Sequence, residues 1–316
     1  MTSRNGRFAA LDIGTVTCRL LVADVEAGSV REVAKEYAIT DLGVGVDASG
    51  RLSEEAMNRV ASTVARYMAV LAACDRPEHP VKGMIAMATS AARDAANADE
   101  FAERLADEGV TLSVIPGERE ATLTFSGASS DFPDENLLVV DIGGGSTELV
   151  AGRAGMAPVA SHSFNIGCRR LTERFFREDP PTSEQLRAAR TWVREEMSPY
   201  FDDLAARGFA IERVVAVAGT ATSVVSMRDE MAVYDSARVH KARVALEELV
   251  ALEERLNAQP IEERRAIVGL DPKRAGVIGA GLVILEEVLH LAGADGYTAS
   301  ESDILKGMIL EAARTA

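Results

Sequence analysis

Residues 137–152 read LLVVDIGGGSTELVAG, and residues 8–24 read FAALDIGTVTCRLLVAD. In both stretches an apolar run ends in Asp-Ile-Gly, passes through small polar residues and returns to an apolar run. A short apolar run rich in β-branched residues is the pattern of a buried strand, so each stretch reads as a hairpin with a glycine-bearing tip. Two copies of one pattern suggest an internal duplication. The chain is therefore expected to form two similar α/β lobes, each offering the same kind of turn to a shared cleft.

The turn itself suggests a chemistry. Gly143, Gly144 and Gly145 carry no side chains, and consecutive glycine amides can form a concave anion nest, to which Ser146 and Thr147 add hydroxyl donors. Asp141, at the strand end, can hold a divalent cation through water beside such a nest. The pattern is neither a P-loop, which ends in Gly-Lys-Ser/Thr, nor a dinucleotide fingerprint opening a helix. A glycine-rich hairpin shaped only for turning is the plainer alternative.

At 316 residues the chain has room for about two domains of ~150 residues. Its hydrophobic content of 47% and charged content of 26% fit a globular protein with a real core, and with only 5% aromatics that core must be mostly aliphatic. The formal net charge of −15 argues against a nucleic-acid binder, which needs clustered Lys and Arg. A polyanionic substrate would likewise need a local basic path or metal counter-ions. Cys18, Cys74 and Cys168 show neither metal-ligand spacing nor a paired framework, so reduced thiols are expected. No signal segment opens the chain and no apolar run approaches the ~20 residues of a membrane span. A cytoplasmic protein with no membrane partner is expected.

Strands alternate with helices along the chain, which indicates α/β architecture. Residues 30–39 read as a strand, 40–50 as a glycine-rich loop, and 52–71 as a helix capped by Ser53 with Glu54 and Glu55 in its first turn. Strand 81–88 runs into a strand-to-helix switch bearing Arg93. Helix 98–108 and strand 110–115 follow, then a helix opening at Glu118, Arg119 and Glu120. A polar linker at 129–136 separates the first lobe, residues 1–128, from the second, 129–302. In the second lobe, strands are expected near 158–165 and at 211–218, and helices at 183–204, 246–256 and 275–290. A final helix, 303–313, is expected to return to the first lobe.

A third anion-friendly element lies at Gly219, Thr220, Ala221 and Thr222, where a strand meets a helix N-terminus. With Gly14, Thr15 and Thr17, and with Gly143, Gly144, Gly145 and Ser146, it implies a substrate carrying more than one phosphate. Glu120 and Glu148 can orient or deprotonate a water, Asp12 and Asp141 can hold a magnesium shell, and Arg93 can neutralise charge on the transferring group. Each has a plainer role available: Arg93 as a solvated helix charge, Glu120 as a first-turn carboxylate favoured by the helix dipole, Glu148 as a surface residue. The four histidines show no ligand spacing. The best candidates for a basic path are His240 with Lys241 and Arg243, and Arg169 with Arg170, although such runs are more often solvated faces.

The stretches ALDIGTVTCRLLVAD, DLGVGVDASGRLSEEAM, ATSAARDAAN, VIPGEREA, VVDIGGGSTELV, FNIGCRRL and VAVAGTATSV resemble the exopolyphosphatase and guanosine pentaphosphate phosphohydrolase family. GLDPKRAGVIGAG is more weakly similar. The resemblance implies the two-lobe actin-like ATPase (ribonuclease H-like) fold, with duplicated mixed-sheet domains and an active site in the interdomain cleft. It carries the family's catalytic glutamate onto Glu120, its second acidic residue onto Glu148, its arginine onto Arg93 and its metal-side aspartate onto Asp141. Its phosphate turns fall on Gly143, Gly144, Gly145 and Ser146, and on Gly219 and Thr220. The chain departs from the family pattern at Thr15, Val16 and Thr17, where Ser-Asn-Ser is usual, at Arg119, where a second glutamate is usual, and at Lys306, where an arginine is usual.

The function so implied is an exopolyphosphatase that releases orthophosphate from the end of inorganic polyphosphate. Short chains are expected as substrate, because the chain stops after the two core lobes and is strongly acidic. Magnesium, with manganese as its substitute, is the expected cofactor; ADP or ATP is a further candidate ligand, and a homodimer is the expected assembly. The first rival is hydrolysis of the 5′ terminal phosphate of guanosine pentaphosphate, a stringent-response activity. The others are an ATP-dependent kinase of the same fold superfamily and a non-catalytic nucleotide or polyphosphate sensor.

Overall fold

The structure is a computed structural model that describes residues 4–315. The chain divides into two compact units: Met1–Gly127 with Asp303–Ala316, and Ala128–Ser302. In the first unit the elements run β1 (Gly6–Ile13), β2 (Thr17–Glu26), β3 (Ser29–Ile39), α1 (Val46–Ser49), α2 (Glu54–Cys74), β4 (Val81–Ala88), α3 (Ser90–Arg93), α4 (Ala98–Ala106), β5 (Leu112–Val114) and α5 (Gly117–Ser129). Those of the second are β6 (Asn136–Ile142), β7 (Thr147–Arg153), β8 (Ala160–Phe164), α6 (Cys168–Phe175), α7 (Ser183–Ala206), β9 (Arg213–Val217), α8 (Ala218–Arg228), α9 (Ser236–Val239), β10 (Arg243–Ala245), α10 (Leu246–Asn257), α11 (Ile261–Arg265), α12 (Ile278–Ala292) and β11 (Gly296–Ala299). The last helix, α13 (Ile304–Thr315), belongs to the first unit.

The duplication expected from the two hairpins is present in the sheets. Among the described residues the first sheet has the order β3-β2-β1-β4-β5, and the second β10-β11-β9-β6-β7-β8. In the first, β1, β2 and β3 form an antiparallel meander, and β1, β4 and β5 run parallel. In the second, β6, β7 and β8 form the same meander, and β6, β9 and β11 run parallel. The second sheet adds only the antiparallel edge strand β10. Parallel neighbours need crossover connections, and the intervening helices supply them.

Both faces of the central strand β1 are buried, as a strand's period of two requires when helices cover each side. Ala9, Leu11 and Ile13 share a core with Met57, Val60 and Val64 of α2 and with Phe101 and Leu105 of α4. Phe8 and Ala10 face the other way, into a core with Leu123 of α5 and Leu305, Met308 and Ile309 of α13. Ser53 caps α2 by accepting the Ala56 amide, at 3.2 Å, so the helix starts where the Ser-Glu-Glu signal places it. In the second unit Leu138, Val140 and Leu149 pack with Val193 and Met197 of α7 and with Leu282 and Leu285 of α12. Glu286 and Glu287 lie buried on α12. Arg190 of α7 meets Glu286 at 2.8 Å, and Arg194 meets Glu287 at 2.7 Å. Buried carboxylates persist where such cations answer them.

Two glycines let α13 lie directly on α5. A Cβ at Gly307 would stand 2.0 Å from the Leu123 carbonyl oxygen, and one at Gly127 would stand 2.0 Å from that of Asp303. Neither backbone can retreat without moving its helix. Gly307→Ala is therefore expected to destabilise the first unit by about 1–3 kcal/mol, the usual cost of overpacking a core. Thermal or denaturant unfolding reads this as a lowered midpoint; an unchanged midpoint contradicts the close helix approach.

Candidate active site

The turns expected to hold phosphate sit at corresponding places in the two units, each following the first strand of its meander. In the first unit the Gly14 amide donates to the Thr17 carbonyl at 2.8 Å. In the second, the Gly143 amide donates to the Ser146 carbonyl at 3.0 Å. The spacing is the same, so the two bends are copies.

What lies behind each turn decides where its amides point. Across a planar trans peptide, carbonyl and amide face opposite ways. In the second unit the backbone amides at the start of α6 take the turn's carbonyls: Cys168 donates to Gly143 at 2.9 Å, and Arg169 and Arg170 to Gly144 at 2.9 and 3.2 Å. The amides of Gly144 and Gly145 therefore point away from α6. The approach is so close that a Cβ at Gly167 would stand 2.3 Å from the Gly144 oxygen. In the first unit residues 40–43 do the same work. Gly43 donates to Thr15 at 2.8 Å, and Thr40 and Asp41 both donate to Val16 at 2.9 Å. Thr15 is buried against Gly43, and Thr17 opens β2 beside Gly14. Outward-facing consecutive amides are what an anion needs.

The third turn forms the first turn of α8. A Cβ at Gly219 would stand 1.9 Å from the Arg274 guanidinium, so any larger residue there must displace that side chain. Thr220 is buried, its side chain lodged over Gly281 of α12. Ala218 has a φ of 62°, a left-handed conformation that costs a residue with a Cβ about 1–2 kcal/mol. Such strain collects where function requires an unusual backbone.

The acidic candidates stand at the carboxyl ends of the parallel strands, the edge at which open α/β sheets bind ligands. In the first unit β1 delivers Asp12, β4 leads into α3 with Arg93, and β5 leads into α5 with Glu120. Arg93 and Glu120 meet at 3.3 Å, and the same guanidinium nitrogen donates to the Ile115 carbonyl at 3.0 Å. Arg93 is thereby more than a solvated helix charge, and Glu120 is buried rather than surface-exposed. In the second unit β6 delivers Asp141, and β9 delivers Gly219 and Thr220.

The two hairpins differ at one decisive pair of positions. Asp12 faces Arg19 across β1 and β2, and Asp141 faces Glu148 across β6 and β7. Directly opposed residues of an antiparallel pair share a face of the sheet. Arg19 donates to one Asp12 oxygen from Nε at 3.0 Å and from Nη2 at 2.6 Å, and also bonds Asp303. Asp12, expected beside a metal ion, has the Arg19 guanidinium as a partner. Burial pushes the Asp12 carboxyl up from its ordinary value, against the pull of Arg19. In the second unit the arginine's place holds Glu148, a buried carboxylate that accepts a hydrogen bond from Ser163 at 2.7 Å. Two acids on one face favour a cation between or beside them. Among the described residues no three His, Cys, Asp or Glu side chains gather as a metal cage. One or two carboxylates suffice for magnesium, whose other ligands are then water and phosphate oxygens, so Asp141 and Glu148 fit that ion.

The expected basic path is largely committed elsewhere. Arg243 pairs with Asp295 at 2.7 Å, Arg169 lies 3.8 Å from Glu173, His240 lies 3.8 Å from Asp131, and Lys241 stands over the Phe132 ring. Burial pushes the Cys168 thiol up, which keeps it a protonated core group. Arg19, Arg274 and the helical form of residues 168–175 were not singled out by sequence reasoning, although Arg169 and Arg170 were. The seven-residue step from Asp12 to Arg19, repeated from Asp141 to Glu148, would have exposed the first. No helix of the described residues is long and apolar enough to cross a membrane.

Residues 21–316 match the Ppx/GppA phosphatase family. The chain is 39% identical to exopolyphosphatase 2 of Mycobacterium tuberculosis, over 97% of this chain and 98% of that protein. It is 30% identical to guanosine-5′-triphosphate,3′-diphosphate pyrophosphatase of Photobacterium profundum, over 96% of this chain but 59% of that one. The crystal structure of an exopolyphosphatase from Cytophaga hutchinsonii superposes with a TM-score of 0.86 at 27% identity, covering 96% of this chain and 98% of that one. This chain, with its duplicated turns and buried acids, belongs to the Ppx/GppA phosphatase family.

Proposed function

We infer that this protein is an exopolyphosphatase that cleaves the terminal phosphoanhydride bond of inorganic polyphosphate and releases orthophosphate. The observation that carries this reading is the likeness to exopolyphosphatase 2 along nearly the full length of both chains, joined in each unit to a turn whose carbonyls are taken from behind, so that its amides face away from the backing segment. The guanosine-phosphate reading has less support, because the corresponding relative is matched over 59% of its length.

In this reading Glu120 is the base that aligns and deprotonates water, and Arg93 both fixes that carboxylate and offers charge to the terminal phosphate. The amides of Gly144 and Gly145, with Ser146, hold phosphate oxygens, as do the bends at Gly14, Thr15 and Thr17 and at Gly219 and Thr220. Asp141, with Glu148 opposite, holds magnesium or manganese, which when bound neutralises phosphate charge. Phosphoryl transfer asks a protein mainly for position and charge, and these groups provide both. The same reading takes short polyphosphates as substrates, ADP or ATP as further ligands, the cytoplasm as location and a homodimer as assembly.

Glu120→Gln is expected to lower kcat by about 10²–10⁴-fold, the usual contribution of a positioned base, while tripolyphosphate affinity stays within a few-fold. A variant that turns over normally removes Glu120 from the reaction. Phosphate release from tripolyphosphate, long polyphosphate, guanosine pentaphosphate and ATP, each with magnesium and with chelator, tests substrate and cofactor together. Short polyphosphate is expected to be fastest, and chelation to abolish release. A rate that rises steadily with polymer length overturns the short-chain preference, and full activity in chelator overturns the metal assignment.

A further inference from the structure

Three carbonyls of the second-unit turn point at α6, and two of them are held by backbone amides. The third is not. Gly145 has its carbonyl taken by a side chain, the Nε of Arg170, at 2.9 Å. Gly145 shares that peptide unit with Ser146, so this bond turns the Ser146 amide away from the Arg170 side chain. The first unit carries a parallel device. Arg59 of α2 donates to the carbonyls of Thr40 and Asp41, at 3.0 and 3.3 Å, and the amides of those two residues hold Val16. Asp41 sits there at a φ of 50°, a conformation that needs such support.

We propose that Arg170 is a positioning residue of the phosphate turn: its Nε–H, through the Gly145 carbonyl, aims the Ser146 amide and completes a row of three donors. The inference rests on the reading of this turn as a phosphate site. In this role what matters is the one N–H at that reach rather than the charge. Glutamine carries its side-chain nitrogen the same number of bonds from Cα as the arginine Nε, and it is uncharged. Methionine has similar length and no donor.

The test compares Arg170→Met and Arg170→Gln in the full chain. Tripolyphosphate affinity is measured by calorimetry, with KM and kcat for phosphate release and the unfolding midpoint measured beside it. Arg170→Met is expected to weaken tripolyphosphate binding and raise KM about tenfold, the loss of roughly one hydrogen bond to a charged group, with kcat within about threefold. Its unfolding midpoint should stay within a few degrees of wild type. Arg170→Gln should recover affinity to within about threefold. Normal affinity in the methionine variant overturns the proposal. So does a glutamine variant as impaired as methionine, which would make Arg170 a charge for the substrate. A methionine variant that fails to fold or melts far below wild type makes it a structural residue and also overturns it. Wild-type protein that binds tripolyphosphate without releasing phosphate would defeat the proposed activity and leave the calorimetric comparison intact.

Discussion

A bend can present a row of amides only if something else takes its carbonyls. In the second unit that something is the first turn of α6, whose amides donate to the carbonyls of the glycine peptides. Much of the local sequence follows from this contact. Gly167 must lack a side chain so that α6 can reach the bend. Thr147 is buried with its hydroxyl donating to the Ile166 carbonyl at 2.5 Å, fixing the connection from β8 into α6. The glycines of the bend then serve two purposes, turning the chain and letting α6 approach their carbonyls. The first unit reaches the same end with a different backing segment, residues 40–43, which shows that the requirement belongs to the turn rather than to the helix.

Duplication and divergence are both visible in the hairpins. The strand order and the turn closure are repeated, but the residue seven places after the aspartate is arginine in one copy and glutamate in the other. In the first copy the aspartate shares one guanidinium with Asp303. The second copy places two carboxylates opposite one another on one face of the sheet. A chain with a formal net charge of −15 that is to bind polyanions depends on such local solutions.

Sequence patterns revealed the framework well where they were local. The Ser53 cap, the long helix after Pro180 and Pro181, and the paired hairpins all rest on neighbours in the chain. Motif spacing also singled out Arg93 and Glu120, and the fold brings them together. What could not be read depended on distant parts of the chain. The α6 segment is eight residues of mostly polar sequence, yet its role is set by the bend it backs. Strand β11 is four residues, GYTA, too short for a periodic signal, although it continues the parallel part of the sheet. Arg274 lies far along the chain from Gly219, and only folding puts its guanidinium where a Cβ would otherwise go.

The direction of the turn amides is the claim on which the chemistry depends, and it can be observed without any turnover. Selective ¹⁵N-glycine and ¹⁵N-serine labelling would report the amides of Gly144, Gly145 and Ser146 during titration with tripolyphosphate. Saturable downfield shifts of these three amide protons, with Gly143 little changed because its amide is already bonded to Ser146, are the predicted result. Binding that leaves all three resonances in place would contradict the account.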